Sequence, residues 1–261
     1  MVSLSAQHLG VTFPLYAKAQ GPAEARQATD DQRLIRDKTG RVVGVRAIED
    51  LSFDLNAGDR LAIIGRNGSG KTTLLQILAG VISPDQGRVV LEGRPTNLIS
   101  LQLGIRHEAS GHRNITLRGL ASGHTVTEIE KRRQQIADFS ELGEFLDMPV
   151  LTYSAGMLMR LSFAIATAFE PEILLLDEWL SAGDTAFRAK ATKRMQDFVG
   201  RAGILVLASH NRKLLLENCN QAIWMERGAI KMKGAVVDVL DQYEDFAAKY
   251  NASLTKTEPT P

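Results

Sequence analysis

Eight consecutive residues, Gly65-Arg66-Asn67-Gly68-Ser69-Gly70-Lys71-Thr72, fit the pattern G-x-x-x-x-G-K-[ST] without a mismatch. Each residue type in that run has a physical role. The glycines allow positive φ and close approach of the backbone, so successive N–H groups can wrap a phosphate. A helix opening right after the loop adds the positive end of its dipole. Lys71 offers a point charge to β- and γ-phosphates, and the Thr72 hydroxyl can ligate Mg²⁺, with Thr73 next along the chain. A chance glycine-rich turn is the alternative, and it gives no reason for the flanks. An apolar run, Leu61 to Ile64, leads into the loop, and Thr72 to Ala79 reads as a helix.

A second constellation ends another apolar run. Ile173 to Leu176 is followed by Asp177 and Glu178. In a parallel sheet ligands gather beyond the carboxyl ends of strands. Asp177 there can hold Mg²⁺, directly or through water, and Glu178 can orient and polarise an attacking water. Taken by itself the pair reads better as a cap on the strand or on the next helix. Together with the phosphate loop it reads as phosphoryl-transfer chemistry on a nucleoside triphosphate.

These side chains need a frame. Leu4 to Phe13 and Ala47 to Leu55 read as strands, and Val89 to Glu92 as another. Lys18 to Lys38, broken by Gly21-Pro22, reads as an exposed polar insertion. From Gly104 to Phe169 the texture is helical. Thr125 and Glu128 have the spacing of a capping box, and Ser154 opens a helix with Met157, Leu161, Ile165 and Ala168 on one stripe. Phe187 to Val199 reads as a helix, Ile204 to Ala208 as a strand, Ala222 to Met232 as a hairpin, and Val236 to Tyr250 as a closing helix before a polar tail. Apolar strands alternating with helices predict an α/β fold with both sheet faces covered.

Composition narrows the class. Of 261 residues, Gly and Pro together account for 30, which argues against wholesale disorder. A formal net charge of +1 argues against a nucleic-acid partner. The short basic run Lys131-Arg132-Arg133 reads as the wet face of a helix. One cysteine, Cys219, cannot close an internal disulfide, which fits a reducing compartment. No apolar run approaches the ~18 residues of a membrane span, and the start lacks a signal-peptide pattern.

With two further motifs the chain resembles ATP-binding-cassette (ABC) ATPase subunits over about residues 1 to 245. Tyr153-Ser154-Ala155-Gly156-Met157 lies where that family carries its L-S-G-G-Q signature, keeping the Ser and one Gly. Ser181-Ala182-Gly183-Asp184 follows Glu178 where the family has a dimer-contacting S-A-L-D loop. His210, 32 residues past Glu178, matches the family's switch histidine. The resemblance implies a P-loop NTPase of the ABC type: a mixed sheet core, an N-terminal β-rich subdomain, a helical subdomain about 104–169, an insertion about 17–41 and a tail about 246–261. It implies ATP and Mg²⁺ as ligands. It places an aromatic ring against adenine, at Phe13 or alternatively Tyr16, and a magnesium-contacting glutamine at Gln102, which otherwise reads as a surface residue. It also implies a head-to-tail dimer in which Ser154 and Gly156 of one copy cap the γ-phosphate held by the other.

The signature variant, the run Leu174 to Asp184, Leu207-Ala208-Ser209-His210 and the insertion are similar to ATPase subunits of bacterial polysaccharide exporters of the O-antigen, capsule and teichoic-acid type. That similarity implies a peripheral subunit on the cytoplasmic face of the inner membrane. It would serve a separate transmembrane channel subunit, with coupling through the 102–118 region, and lipid-linked glycan as cargo. No extra carbohydrate-binding domain is expected after the last helix. The alternatives are the ATPase of a lipid or drug exporter, a soluble ABC ATPase acting outside transport, or a nucleotide-binding scaffold without turnover. Against the scaffold stand Asp177, Glu178 and His210.

Overall fold

Strands form where branched and apolar residues alternate or run unbroken, and helices where a polar cap precedes an amphipathic stretch. The computed structural model describes residues 2–15, 31–98, 104–178 and 185–254. Tyr16, Gln102 and Asp184, with the rest of the Ser181–Asp184 loop, lie outside the described residues. The chain divides into two units, one built mainly on residues 91–207 and the other on 4–55, 61–90 and 208–261.

The phosphate-loop unit carries two groups of strands. β1 (Ser3–Pro14), β2 (Leu34–Arg36), β3 (Val42–Asn56) and β5 (Gln86–Glu92) pair in the order β2-β3-β1-β5. In β3 the burial alternates, with Ile48 on one side of a break and Leu51, Phe53 and Leu55 beyond it. That is the period of a half-buried strand. The other group has β4 (Arg60–Ile64) parallel to β9 (Gln221–Glu226), with Ile63 opposite Ile223, and β10 (Ala229–Ala235) antiparallel to β9. Strands of both directions make this sheet mixed. In β4, Leu61, Ala62 and Ile63 are fully buried, as an unbroken apolar run predicts. Each large apolar side chain so buried contributes roughly 1.5–3 kcal/mol against exposure. α1 (Lys71–Leu78) leaves the loop after β4. α6 (Arg212–Asn218) is capped by Asn211, whose Oδ1 accepts from the Leu214 N–H at 3.1 Å, and Cys219 ends it as a buried thiol.

Two expectations are corrected in this unit. β2 falls inside the expected 17–41 insertion and pairs with β3, Leu34 opposite Val45. The span is therefore not merely an exposed loop. Secondly, α7 (Val236–Leu254) runs past the expected start of the tail at 246. Phe246 packs on Trp224 at 4.9 Å, and Tyr243 meets the same indole edge-on at 5.4 Å. Apolar burial on β9 holds the helix there, so its residues beyond 245 belong to the fold.

In the other unit β6 (Pro95–Asn97) lies parallel to β7 (Ile173–Asp177), with Thr96 opposite Leu174. β8 (Ile204–Ala208) is fully buried along its length. Four helices belong here: α2 (Gly111–Ala121), α3 (Val126–Ser140), α4 (Ala155–Ala166) and α5 (Thr185–Gly200). The capping box forms as predicted. The Thr125 N–H donates to Glu128 Oε2 at 2.7 Å, and Thr125 Oγ1 accepts from the Glu128 N–H at 3.3 Å. Phe139, Phe163 and Phe187 join α3, α4 and α5 with ring centroids 5.7 to 6.3 Å apart. Fully buried Asn114 on α2 donates to the carbonyls of Arg106, Ala109 and Ser110 and accepts from the Arg106 N–H, which fixes the entry to the helix.

Candidate functional site

The buried strand β4 delivers the chain to Gly65, and the loop turns there in a conformation that side chains resist. Gly65 has φ 149°, and a Cβ on it would stand 2.3 Å from the Met225 carbonyl oxygen. Gly70 has φ 105°, and a Cβ there would come within 2.8 Å of the Ala47 carbonyl oxygen. These two positions accept only glycine. α1 then begins with no side-chain cap and no acidic residue in its first turn. An anion at this helix start would meet the positive end of the dipole with no carboxylate of the first turn beside it.

Lys71 is 9% exposed, and its ammonium donates to the carbonyls of Gly65 at 2.7 Å and Arg66 at 3.2 Å. The cation therefore folds back across its own loop. Ser69 is 4% exposed, and its Oγ is buried with no hydrogen-bond partner among the described residues. A buried ammonium, an uncapped helix start and an unsatisfied buried hydroxyl in one glycine-rich loop fit a polyphosphate. Thr72 is exposed beside them.

Two contacts to this loop carry no signal in sequence spacing. The Arg33 guanidinium donates to the Gly68 carbonyl at 2.6 Å, across 35 residues. Arg33 is itself held by Asp31 through Nε at 3.0 Å and Nη2 at 2.6 Å. Hydrogen bonds from Arg33 hold the Asp31 carboxyl down to about 2. Arg66 in the loop lies over the Tyr250 ring of α7, 3.9 Å from its centroid. Asp31, Arg33, Arg66, Trp224 and Tyr250 share a cavity of about 240 Å³ beside the loop. His210 follows β8, exposed, just before the Asn211 cap. Phe13, near the end of β1, is 42% exposed, and Asn67 is exposed in the loop.

In the other unit, Asp177 ends β7 and Glu178 follows it, exposed. Glu178 has φ 65°, a left-handed conformation that a side chain enters at some cost. Ser154 caps α4, its Oγ accepting from the Met157 N–H at 3.2 Å. Ser154 and Gly156 are both exposed, and a Cβ on Gly156 would meet only Ser154 Oγ, at 3.8 Å. The start of α4 is therefore an open surface. Tyr153 holds the turn before it, donating its hydroxyl to the Phe145 carbonyl at 2.6 Å. Among the described residues no group of three or more His, Cys, Asp or Glu side chains could hold a metal ion. A divalent cation bound mostly by phosphate oxygens and water needs no such cage. No helix among the described residues is long and apolar enough to cross a membrane.

Comparison with known proteins identifies the family and the fold. Residues 48–181 match the sequence model of the family described as ABC transporter. The chain is 40% identical to the O-antigen export system ATP-binding protein RfbE of Yersinia enterocolitica, over 88% of this chain and 97% of that one. It is 33% identical to the teichoic acids export ATP-binding protein TagH of Listeria monocytogenes, over 96% of this chain and 72% of that one. Its fold is similar to that of a dimeric ATP-binding cassette solved in a post-hydrolysis state with ADP and Pi. That likeness has a TM-score of 0.61 and 16% identity and covers 89% of this chain and 98% of the other.

Proposed function

The chain belongs to the ABC transporter family, whose ATP-binding domain binds ATP, and we propose that it hydrolyses ATP to drive a lipid-linked, O-antigen-like polysaccharide across the bacterial cytoplasmic membrane. The observation that carries this reading is the 40% identity to an O-antigen export ATP-binding protein along nearly that protein's whole length. The teichoic-acid relative supports the same class of cargo.

Roles follow the chemistry of the residues. Gly65 to Gly70 wrap the phosphates with backbone N–H groups, and Lys71 turns from the Gly65 carbonyl to the β- and γ-phosphates. Mg²⁺, held by Thr72 and Asp177 with Gln102, would supply neutralisation of phosphate charge. Glu178 orients the attacking water, and His210 meets the γ-phosphate. Phe13 or Tyr16 stacks on adenine. A second copy completes the site, its Ser154 and Gly156 capping the γ-phosphate and its Asp184 loop contacting the partner. Positioning and charge balance suffice for phosphoryl transfer to water, and no covalent intermediate is required. Closure on ATP and opening after hydrolysis would be passed to a separate transmembrane channel subunit. The chain itself would stay peripheral, on the cytoplasmic face.

Glu178→Gln tests both halves of the proposal. ATPase turnover of the purified chain is expected to fall about 100-fold or more, with nucleotide binding retained. In the source organism, lipid-linked glycan should accumulate inside while surface glycan falls. Turnover near the wild-type rate removes Glu178 from the reaction. Lost turnover with unchanged glycan removes the cargo assignment and leaves the ATPase standing.

A further inference from the structure

A second basic cavity, of about 280 Å³, opens between α3, the 167–170 loop and α5, and none of the residues assigned above to ATP lines it. Arg132, Lys190, Lys193, Arg194 and Arg201 line it. Glu170 and Asp197 are the carboxylates in its wall. Lys190 is committed elsewhere, donating to Glu141 at 2.6 Å, and Arg201 pairs loosely with Glu170 at 3.8 Å. Arg132, Lys193 and Arg194 have no ion pair among the described residues. Among the described residues Arg132 donates to Gln135, at 3.2 Å.

Arg194 is the most telling of the three. It is half-buried, with its guanidinium over the Phe139 ring at 4.1 Å and one N–H donated to the Thr167 carbonyl at 3.1 Å. Thr167 ends α4 and Phe139 sits on α3, so the side chain is fixed in place by two elements. Burial lowers the Arg194 pKa, and repulsion from Arg201 and Arg132 lowers it further. A planar fork of donors that is held rigid, left without a carboxylate and pressed by like charges is arranged as an anion site is. Arg132 also changes standing. The basic run reads from sequence as a wet helix face, but Arg133 turns inward to Glu130, Thr116 and the His112 carbonyl, whereas Arg132 faces this cavity.

We propose that the cavity between α3 and α5 binds a phosphate-bearing anion. Three cations without carboxylate partners converge on a small volume. A phosphate monoester or diphosphate puts about two charges or more into one compact group, with oxygens spaced for guanidinium forks. A peptide carboxylate supplies one charge per residue and would satisfy the cluster only by threading several side chains into it. Phe139, already under Arg194, gives the floor an apolar surface.

The probe is inorganic pyrophosphate, titrated by calorimetry into the full chain carrying Lys71→Ala, which silences the phosphate loop. Binding is expected, and it should weaken about tenfold or more when Arg132→Glu and Lys193→Glu are added, since each removes one charge-assisted contact. Both side chains are exposed, so the fold should survive, and an unchanged thermal melt checks this. Sedimentation with phosphatidylglycerol vesicles then separates the sources. Vesicle binding displaced by pyrophosphate supports a lipid headgroup, and pyrophosphate binding without vesicle binding supports a soluble phosphate compound. Absent binding overturns the proposal, as does binding indifferent to the two reversals. Polyglutamate binding as tightly as pyrophosphate would overturn the phosphate assignment in favour of an acidic peptide.

Discussion

Two basic cavities sit in the two units, and they use their charge in opposite ways. Beside the phosphate loop the arginines are engaged within the protein. Arg33 is clamped by Asp31 and holds Gly68, and Arg66 lies on Tyr250. In the α3–α5 cavity Arg132, Lys193 and Arg194 form no ion pair among the described residues, though Glu170 and Asp197 share its wall, and Arg194 is pressed by its cationic neighbours. The contrast separates two uses of charge that look alike in composition. Where a backbone must be held in an improbable shape, charge is neutralised within the protein and becomes geometry. Where charge is gathered and left unneutralised, the balance has to come from outside.

The comparison can be broken at several strengths. Lys71→Ala should cost the largest amount, about 3 kcal/mol or roughly 100-fold in ATP affinity, because a buried cation that meets phosphate is lost. Arg194→Ala, its counterpart in the other unit, should leave ATP affinity unchanged in the same titration. Arg33→Ala should weaken ATP binding by about tenfold through a slackened Gly68, with Arg33→Lys restoring only part, since an ammonium cannot grip Asp31 and Gly68 together. If Arg33→Ala binds ATP normally, the clamp is not what shapes the loop.

Acid offers a gentler probe. The Asp31 carboxyl titrates at about 2 in the folded chain against an ordinary 3.8. Its contribution to stability is therefore present above about pH 4 and is lost as the pH falls toward 2. Melting of Asp31→Asn should run closer to the wild type at pH 2 than at pH 5. A gap that does not change with pH would mean that ionisation of Asp31 contributes nothing to stability. Smallest of all, Tyr250→Leu should weaken the hold on Arg66 by about 0.5–1 kcal/mol, read as a modest fall in melting temperature.

Much of this was legible in the chain because it depends on short spacing. The phosphate loop needs glycines at fixed intervals, the acidic pair needs an apolar strand before it, and the capping box at Thr125 and Glu128 needs three residues. What escaped depends on contacts between distant segments or on weak local pattern. Nothing near Arg33 announces Gly68, and nothing in the polar 17–41 span marks Leu34 to Arg36 as a strand, because β3 supplies the pairing. α2 buries Gly111, Asn114, Ile115 and Gly119, a set with too few apolar members to show a helical stripe. α7 runs on past 245 because Phe246 and Tyr250 find rings and a guanidinium to cover them.

Cys219 has a practical side. The chain has one thiol, and it is buried where α6 ends. A maleimide dye should pass it by under native conditions. The protein is thus a ready background for site-directed spectroscopy. A cysteine introduced at exposed Glu144, outside the residues assigned to nucleotide, could carry a spin label or a fluorophore without first removing a native one. Distances between labels on two copies could then be followed as nucleotide comes and goes.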